Sequence, residues 1–353
     1  MFNYYIGFGS SIQKEGGASR NNAIFNELKG QKLKSFLIAD KGKIYLIINC
    51  IILNLHLIFL KKNYVYINYN IISLIFFGRK LAYTQLGKIY IKLILKNFVK
   101  NNNVYFEVND LQYEQTLDLG LAVNHHYHID SIVFNLENCN FIFASCEMKK
   151  YIEKKYKLEN SNFVLINGGN VHNANDLKSN NSYLKFVYAG SLNRGRGIEK
   201  MIDCFKGKNN KLIIMGEGGE WINNYVKGYY NISYLGALDE DTAKKYVSSC
   251  DCGLIPYDSN LFYYNICFPA KASFYITSGI PFLSTPTKEL KNHFSENEVY
   301  YSDFDSWEYF ISNNINSKDI LTKKLQIDKI KNHFSWNSLV KKLLLDINSN
   351  QIL

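Results

Sequence analysis

Lys185-Phe186-Val187-Tyr188-Ala189-Gly190, then Ser191-Leu192-Asn193-Arg194-Gly195-Arg196-Gly197, then Ile198-Glu199-Lys200-Met201-Ile202-Asp203-Cys204-Phe205, is the stretch on which the fold turns. A short apolar run closed by glycine reads as a buried strand. Ile198, Met201, Ile202 and Phe205 recur at i, i+3, i+4 and i+7, the period of an amphipathic helix. Downstream, Leu212 to Gly216 and Ile232 to Leu235 read as further strands, and Asp239 is a helix N-cap before Glu240 to Ser249. Gly253 to Tyr257 is the next strand, Ala270 to Ser278 is helical and stopped by Gly279, and Pro281 to Ser284 begins another strand. Short buried strands alternating with helices mean a parallel sheet covered on both faces. All four prolines, Pro256, Pro269, Pro281 and Pro286, fall within this part, as expected around a site built from loops at strand ends.

The first half repeats the alternation less cleanly. Tyr64 to Asn68, Val104 to Val108, Phe141 to Ala144 and Phe163 to Ile166 read as strands, with helical patterns at 18–29, 87–100 and 147–156. Asn167 to Ser182 is rich in Asn, Gly and Ser, has no apolar period, and reads as a hinge. The expectation is an α/β protein of two Rossmann-like, doubly wound domains, 1–169 and 182–335, facing a cleft, with a last helix over 336–353 crossing back onto the first. A length of 353 residues agrees with two domains rather than one core.

Composition excludes several classes. With 47% apolar and 20% charged residues the chain is globular rather than disordered. The seven cysteines are scattered and never spaced C-x-x-C, so neither a disulfide framework nor a zinc knuckle fits. The segment Met1 to Gly7 has no basic region ahead of an apolar stretch, which makes a cytoplasmic setting the expectation. A net charge of +10 would suit nucleic acid, but no recognisable nucleic-acid module accompanies it, and no nucleic-acid partner is expected.

Three glycine-rich segments could meet an anion. Gly16-Gly17 opens a helix after the first strand, where backbone N–H groups and the helix dipole favour negative charge, though paired glycines are also ordinary turn residues. The loop from Gly190 to Gly197 lies between strand and helix and carries two arginines, forked cations suited to a diphosphate. Gly216-Glu217-Gly218-Gly219 repeats that placement one unit later. A dinucleotide fingerprint at Gly7-x-Gly9 fails because Ile12 occupies the third glycine position, which disfavours a nicotinamide-dependent dehydrogenase.

Taken in order, these segments resemble the retaining nucleotide-sugar glycosyltransferases of the GT-B fold, in particular glycosyltransferase family 4 and its bacterial surface-glycan and glycoprotein branch. The series is Gly16-Gly17, Asn167-Gly168-Gly169, Gly190 through Gly197, Gly216-Glu217-Gly218, Asn231 through Gly236, Asp251 through Tyr257, Pro269-Ala270-Lys271 with Tyr275, Gly279 and Pro281, and Phe334-Ser335-Trp336. It covers most of the second half and the first half loosely.

The resemblance implies transfer of a hexosyl unit from a nucleotide-diphosphate sugar to a glycan, lipid-linked or protein-linked acceptor in surface polysaccharide or glycoconjugate synthesis. It implies no metal and no cofactor beyond the donor. Arg196 and Lys271 would stabilise the departing diphosphate as the catalytic groups, and Gly16, Gly17, Arg194, Gly216, Glu217, Gly218, Tyr257, Ser273 and Tyr275 would line the donor site. Retention in this family is described as front-face attack assisted by the leaving phosphate, with no essential protein nucleophile. Two positions depart from the pattern. The acidic E-x7-E pair of the family is replaced by Phe274 and about Ile266, and the usual His before Asp is Asn109 ahead of Asp110. These departures motivate the alternative of a non-catalytic GT-B partner of an active transferase.

Three further features stand outside this series. His125-His126-x-His128 with Asp130 precedes an apolar helix and lacks the two-sided ligand spacing of a structural metal site, so a surface or acceptor-cleft cluster is expected and no metal. Lys149, Lys150, Lys154, Lys155 and Lys157 form a basic helix face, most often a solvated surface, though a polybasic face also attracts anionic lipid headgroups. Ile44 to Leu60 is apolar but interrupted by Asn49, Asn54 and His56, and reads as a buried or interfacial helix. Together with Lys92, Lys96 and Lys100, which share a helix face next to Ile89, Leu93 and Leu95, it makes the inner membrane face a candidate peripheral partner. The opposing expectation is a helix packed wholly inside the domain. Oligomeric state is not legible.

Overall fold

The computed structural model describes residues 2–9, 16–30, 33–39, 43–76, 79–120, 124–172, 182–192 and 197–350. The chain divides into two units, Met1–Ile166 with Val340–Leu353, and Asn167–Leu339.

The first unit runs β1 (Tyr4–Gly9), α1 (Gly16–Lys29), β2 (Lys34–Ala39), α2 (Lys43–Phe59), β3 (Tyr64–Asn68), α3 (Arg79–Ala82), α4 (Gln85–Asn101) and β4 (Asn103–Val108). It continues through α5 (Gln112–Asp118), α6 (Asn124–Val133), β5 (Cys139–Phe143), α7 (Cys146–Tyr156) and β6 (Asn162–Val164). Its strands pair in the order β2-β1-β3-β4-β5-β6, all parallel. The continuous apolar runs of β3 and β4 are buried on both faces, as a helix-covered parallel sheet requires. Helix starts follow local chemistry: the side chain of Thr84 accepts the Gly87 N–H ahead of α4, and that of Ser145 accepts the Met148 N–H ahead of α7. Aromatic rings fill the core, with Tyr5 stacked on Tyr66 and Phe134 packed against Phe141 and Phe143.

The second unit runs β7 (Lys185–Ala189), α8 (Ile198–Asp203), β8 (Lys211–Met215), α9 (Ile222–Tyr225), β9 (Ile232–Tyr234), α10 (Glu240–Ser248), β10 (Cys252–Ile255), α11 (Phe262–Ile266) and α12 (Ala270–Thr277). Then come β11 (Phe282–Ser284), α13 (Lys288–His293), β12 (Tyr300–Tyr301), α14 (Trp307–Asn313), α15 (Ser317–Ile330) and α16 (Trp336–Asn350), whose residues from Val340 onward group with the first unit. Strand order is β12-β11-β10-β7-β8-β9, again all parallel. Phe186, Leu212, Ile214, Leu254 and the fully buried Trp307 belong to one core cluster.

The expected α/β architecture of two separate doubly wound sheets is present. The hinge expectation needs refinement. Asn167 donates to the Phe268 carbonyl at 2.9 Å and the Gly169 N–H donates to the Phe334 carbonyl at 3.0 Å, so the start of that polar stretch is fastened within the second unit. Residues 173–181 lie outside those described. The Ile44 to Leu60 segment is the helix α2, with Cys50, Leu53 and Leu57 buried and Ile51, Leu55 and Phe59 exposed, so it is not packed wholly inside. Among the described residues no helix is long and apolar enough to cross a membrane.

Candidate functional site

In the second sheet the chain winds outward from β7 in one direction and from β10 in the other, so the strand order reverses between them. The connections diverge there and leave a crevice at the carboxyl ends of the two strands, the usual ligand position in an open α/β sheet. The sequence places glycine and cation chemistry at that point. Gly190 follows β7 with φ +154°, Gly216 follows β8 with φ +146°, and a Cβ on Gly216 would lie 1.8 Å from the Gly190 carbonyl oxygen. Only glycine at 216 allows these two strand ends to approach so closely, and the positive φ of Gly190 favours glycine there too.

Lys271, in the first turn of α12, extends back over Gly190. Its Nζ sits 5.1 Å from the ring centroids of both Tyr188 and Tyr257, and a Cβ on Gly190 would touch its Cε and Nζ at 3.1 Å. The two aromatic faces hold the ammonium by cation–π attraction at the switch point. Tyr257 is itself fixed by stacking on Tyr264, with centroids 4.2 Å apart, and by Thr285 Oγ1, which donates to its carbonyl. The first turn of α12 carries no side-chain cap, so the helix dipole adds to the positive potential beside Lys271.

The neighbouring loops are tied to this frame. The Leu192 N–H donates to the Glu217 carbonyl at 2.9 Å and the Trp221 indole donates to the Leu192 carbonyl at 3.0 Å. A Cβ on Gly197 would lie 2.9 Å from the Pro256 carbonyl, so the loop after β7 returns across the end of β10. Arg194 and Arg196 lie between these anchors and outside the described residues.

The expected donor residues therefore separate. Lys271, Tyr257 and Gly216 gather around the β7–β10 switch, with Glu217 and Gly218 exposed on the adjoining loop. Ser273 and Tyr275 do not face it. Ser273 is fully buried, with its Oγ donating to the Asn167 carbonyl at 2.6 Å. Tyr275 is also fully buried: its hydroxyl accepts the Ala189 N–H at 3.0 Å and reaches the carbonyls of Val187 and Leu254, which burial reinforces by pushing its pKa up. Both act as braces: Ser273, two positions on from Lys271, lies on the other side of α12 against Asn167, while Tyr275, one turn on, shares the Lys271 side but ends buried between β7 and β10. Tyr188 and Tyr264 went unnoticed in the sequence. The available signal was an aromatic residue next to the last position of a strand that ends in glycine.

In the first unit Gly16 and Gly17 open α1, as expected. The adjacent strand ends hold a buried polar cluster that the sequence did not flag. Arg20 Nε pairs with Glu107 at 2.7 Å and its guanidinium also donates to the Leu165 carbonyl, while Asn68 donates to Glu107 and to Asn21. Every charge in it is matched, so the cluster fixes α1 across β3, β4 and the end of β6. Asn109, at the departure from the family pattern, accepts from Asn70 at 3.3 Å. Asp130 turns into the core, where Tyr69 donates to it, and is thereby removed from any surface cluster with His128; the side chains of His125 and His126 lie outside those described. Burial pushes the Asp130 carboxyl up to about 7.

No family model matches the chain, and no curated protein matches it in sequence. Solved structures do. HepE of Anabaena in complex with UDP-glucose is similar with a TM-score of 0.65 at 9% identity, over 98% of this chain and 99% of that one. The chain has the GT-B fold. WaaG, a glycosyltransferase involved in lipopolysaccharide biosynthesis, gives a TM-score of 0.61 at 10% identity over 96% and 98%. The pneumococcal O-GlcNAc transferase GtfA, in complex with UDP and GlcNAc, gives 0.59 at 9% identity over 87% of this chain and 60% of its own. At such identities the likeness is one of fold.

Proposed function

We propose that the chain is a glycosyltransferase that moves a hexosyl unit from a nucleoside-diphosphate sugar to a glycan, lipid-linked or protein-linked acceptor in surface polysaccharide or glycoconjugate synthesis. The observation that carries this reading is the Lys271 ammonium held over Gly190 between Tyr188 and Tyr257 at the strand-order switch. A nucleoside diphosphate leaves with growing negative charge, and a fixed cation at strand ends stabilises that charge without reorganising. Arg194 and Arg196 belong to the loop that begins at Gly190, and in this reading they supply further donors to the same diphosphate. Positive charge from three side chains is the basis for proposing transfer without a metal or any cofactor beyond the donor. Retention by front-face attack is proposed on the family resemblance alone. Neighbours of the same fold that hold UDP-glucose, or UDP and GlcNAc, make uridine donors the first to test.

Incubation of the purified chain with a panel of nucleotide sugars, followed by mass spectrometry of the released nucleotide, tests the proposal. Lys271→Ala should lower kcat/KM by about 2–4 kcal/mol of transition-state stabilisation, the scale for one preorganised charge-stabilising group. Turnover unchanged in a folded Lys271→Ala variant would reject the assignment. No turnover with any donor by the wild-type chain would favour a non-catalytic GT-B partner, the reading that Phe274 in place of an acidic residue raises.

A further inference from the structure

The charge of this protein is not spread along it. Residues 41–106 contain ten Lys and Arg and no Asp or Glu, so the entire net charge of +10 comes from this stretch and the remainder is balanced. The same stretch forms α2 and α4, which pack side by side on one face of the first unit's sheet, with Tyr90 of α4 donating to Asn54 of α2 at 2.9 Å. Each helix buries one stripe and leaves another apolar stripe in solvent. On α2 the outward residues include Ile51, Leu55 and Phe59; on α4 they are Leu86, Ile89 and Leu93, with Phe59 72% and Leu86 74% exposed. Leu95, expected beside them, is buried.

The cations flank this apolar surface. Both helices enter parallel, adjacent strands, so their C-terminal ends lie together, and the Lys62 N–H donates to the Asn101 carbonyl at 2.8 Å. Lys61 and Lys62 follow α2, Lys92 adjoins Leu93, and Lys96 and Lys100 continue α4 beyond it; all five are exposed. Another lysine-rich helix, α7, differs. Lys149, Lys150 and Lys155 pair with Glu153, Glu147 and Glu114.

We propose that the α2–α4 face docks on an anionic lipid bilayer, with the apolar stripe entering the headgroup region and the five lysines reading the negative surface. Isolated exposed leucines need no explanation, but two packed helices that each expose an apolar stripe, flanked by five exposed lysines, do. A second copy of the chain fits this face poorly, because two such surfaces would bring like charges together. The inference goes beyond the glycosyltransferase reading and does not depend on it.

Flotation of the full-length chain with vesicles of phosphatidylcholine alone, or mixed with phosphatidylglycerol, tests it without donor or acceptor. At low salt the chain should float with the anionic vesicles and not with the neutral ones, and added salt should release it. Replacing Lys92, Lys96 and Lys100 together with Gln should weaken the partition about a hundredfold, about fivefold for each lysine. Ile89→Asn with Leu93→Asn should also abolish flotation, with unchanged thermal melting because both side chains are already in solvent. The proposal is overturned if the wild-type chain stays with the soluble fraction at low salt, if the lysine variant floats as well as wild type, or if light scattering shows a dimer that the Ile89 and Leu93 substitutions dissociate. Nucleotide-sugar turnover, measured separately, reports on the other reading.

Discussion

Asp130→Asn isolates a pH dependence that the first unit's core imposes on stability. Asp130 is 3% exposed on α6 and accepts a hydrogen bond from Tyr69, with the Glu114–Lys155 ion pair as the other charged neighbours. Burial is the dominant effect and raises its carboxyl from 3.8 to about 7, with Glu114 adding to the rise while Tyr69 and Lys155 oppose it. The unfolded chain therefore releases this proton near pH 4 and the folded chain near pH 7. Between those values the folded state binds more protons, so stability falls as pH rises. At 1.36 kcal/mol per unit, about three units correspond to roughly 4 kcal/mol as an upper bound. Stability from this group is fully present below about pH 4 and lost above about pH 7. Asparagine keeps the acceptor for Tyr69 and cannot ionise. Urea unfolding of both proteins across this pH range should show the wild type losing stability relative to the variant as pH rises. Parallel curves, or a wild type that gains on the variant, would refute the burial argument.

Two other substitutions probe the second unit. Tyr275→Phe removes the hydroxyl that accepts the Ala189 N–H and leaves that donor unmatched between β7 and α12, so unfolding free energy should drop by about 1–3 kcal/mol in denaturant titration. Lys244 is 4% exposed, and its ammonium has no hydrogen-bond partner among the described residues; the Phe274 ring lies at 5.8 Å, and the carboxylates of Glu240 and Asp241 oppose the effect of burial without outweighing it. Burial lowers its pKa to about 8, so the unfolded state binds the extra proton between about pH 8 and pH 10 and stability rises with pH there. Lys244→Met should therefore stabilise the chain at pH 7 by about 1–3 kcal/mol, a gain that disappears near pH 10 in thermal melts.

The strand–helix alternation was legible because buried parallel strands are continuous apolar runs. Lys185 to Gly190 and Leu212 to Gly216 are found within a residue of their bounds, as Lys185–Ala189 and Lys211–Met215. β12 is only Tyr300–Tyr301, too short for any period to register, and β2, Lys34–Ala39, begins with two polar residues at the sheet edge. Ile44 to Leu60 misled in one respect. Apart from Asn49, Asn54 and His56 it is apolar on every side, so sequence alone could not separate the stripe of Cys50, Leu53 and Leu57 that packs inward from the stripe that stays in solvent.

The site was legible to the degree that its chemistry lies in the backbone. Glycines at the ends of β7 and β8 report close approach whatever surrounds them, and Lys271 follows a proline that opens α12. Side chains whose roles depend on facing and depth were less legible, since Ser273 sits in the same motif as Lys271 yet faces Asn167, and Tyr275 shares the Lys271 side but is buried beneath the rim. The distinction matters for mechanism. Tyr275 spans β7 and β10 by hydrogen bonds to Ala189, Val187 and Leu254, so it fixes the spacing of the two strands whose divergence creates the crevice. Lys271 can stand over Gly190 only if that spacing holds. A brace buried in the core and a cation at its rim are thus one device, and the motif that joins them in sequence, Lys271 to Tyr275, is a single helical turn that reaches both.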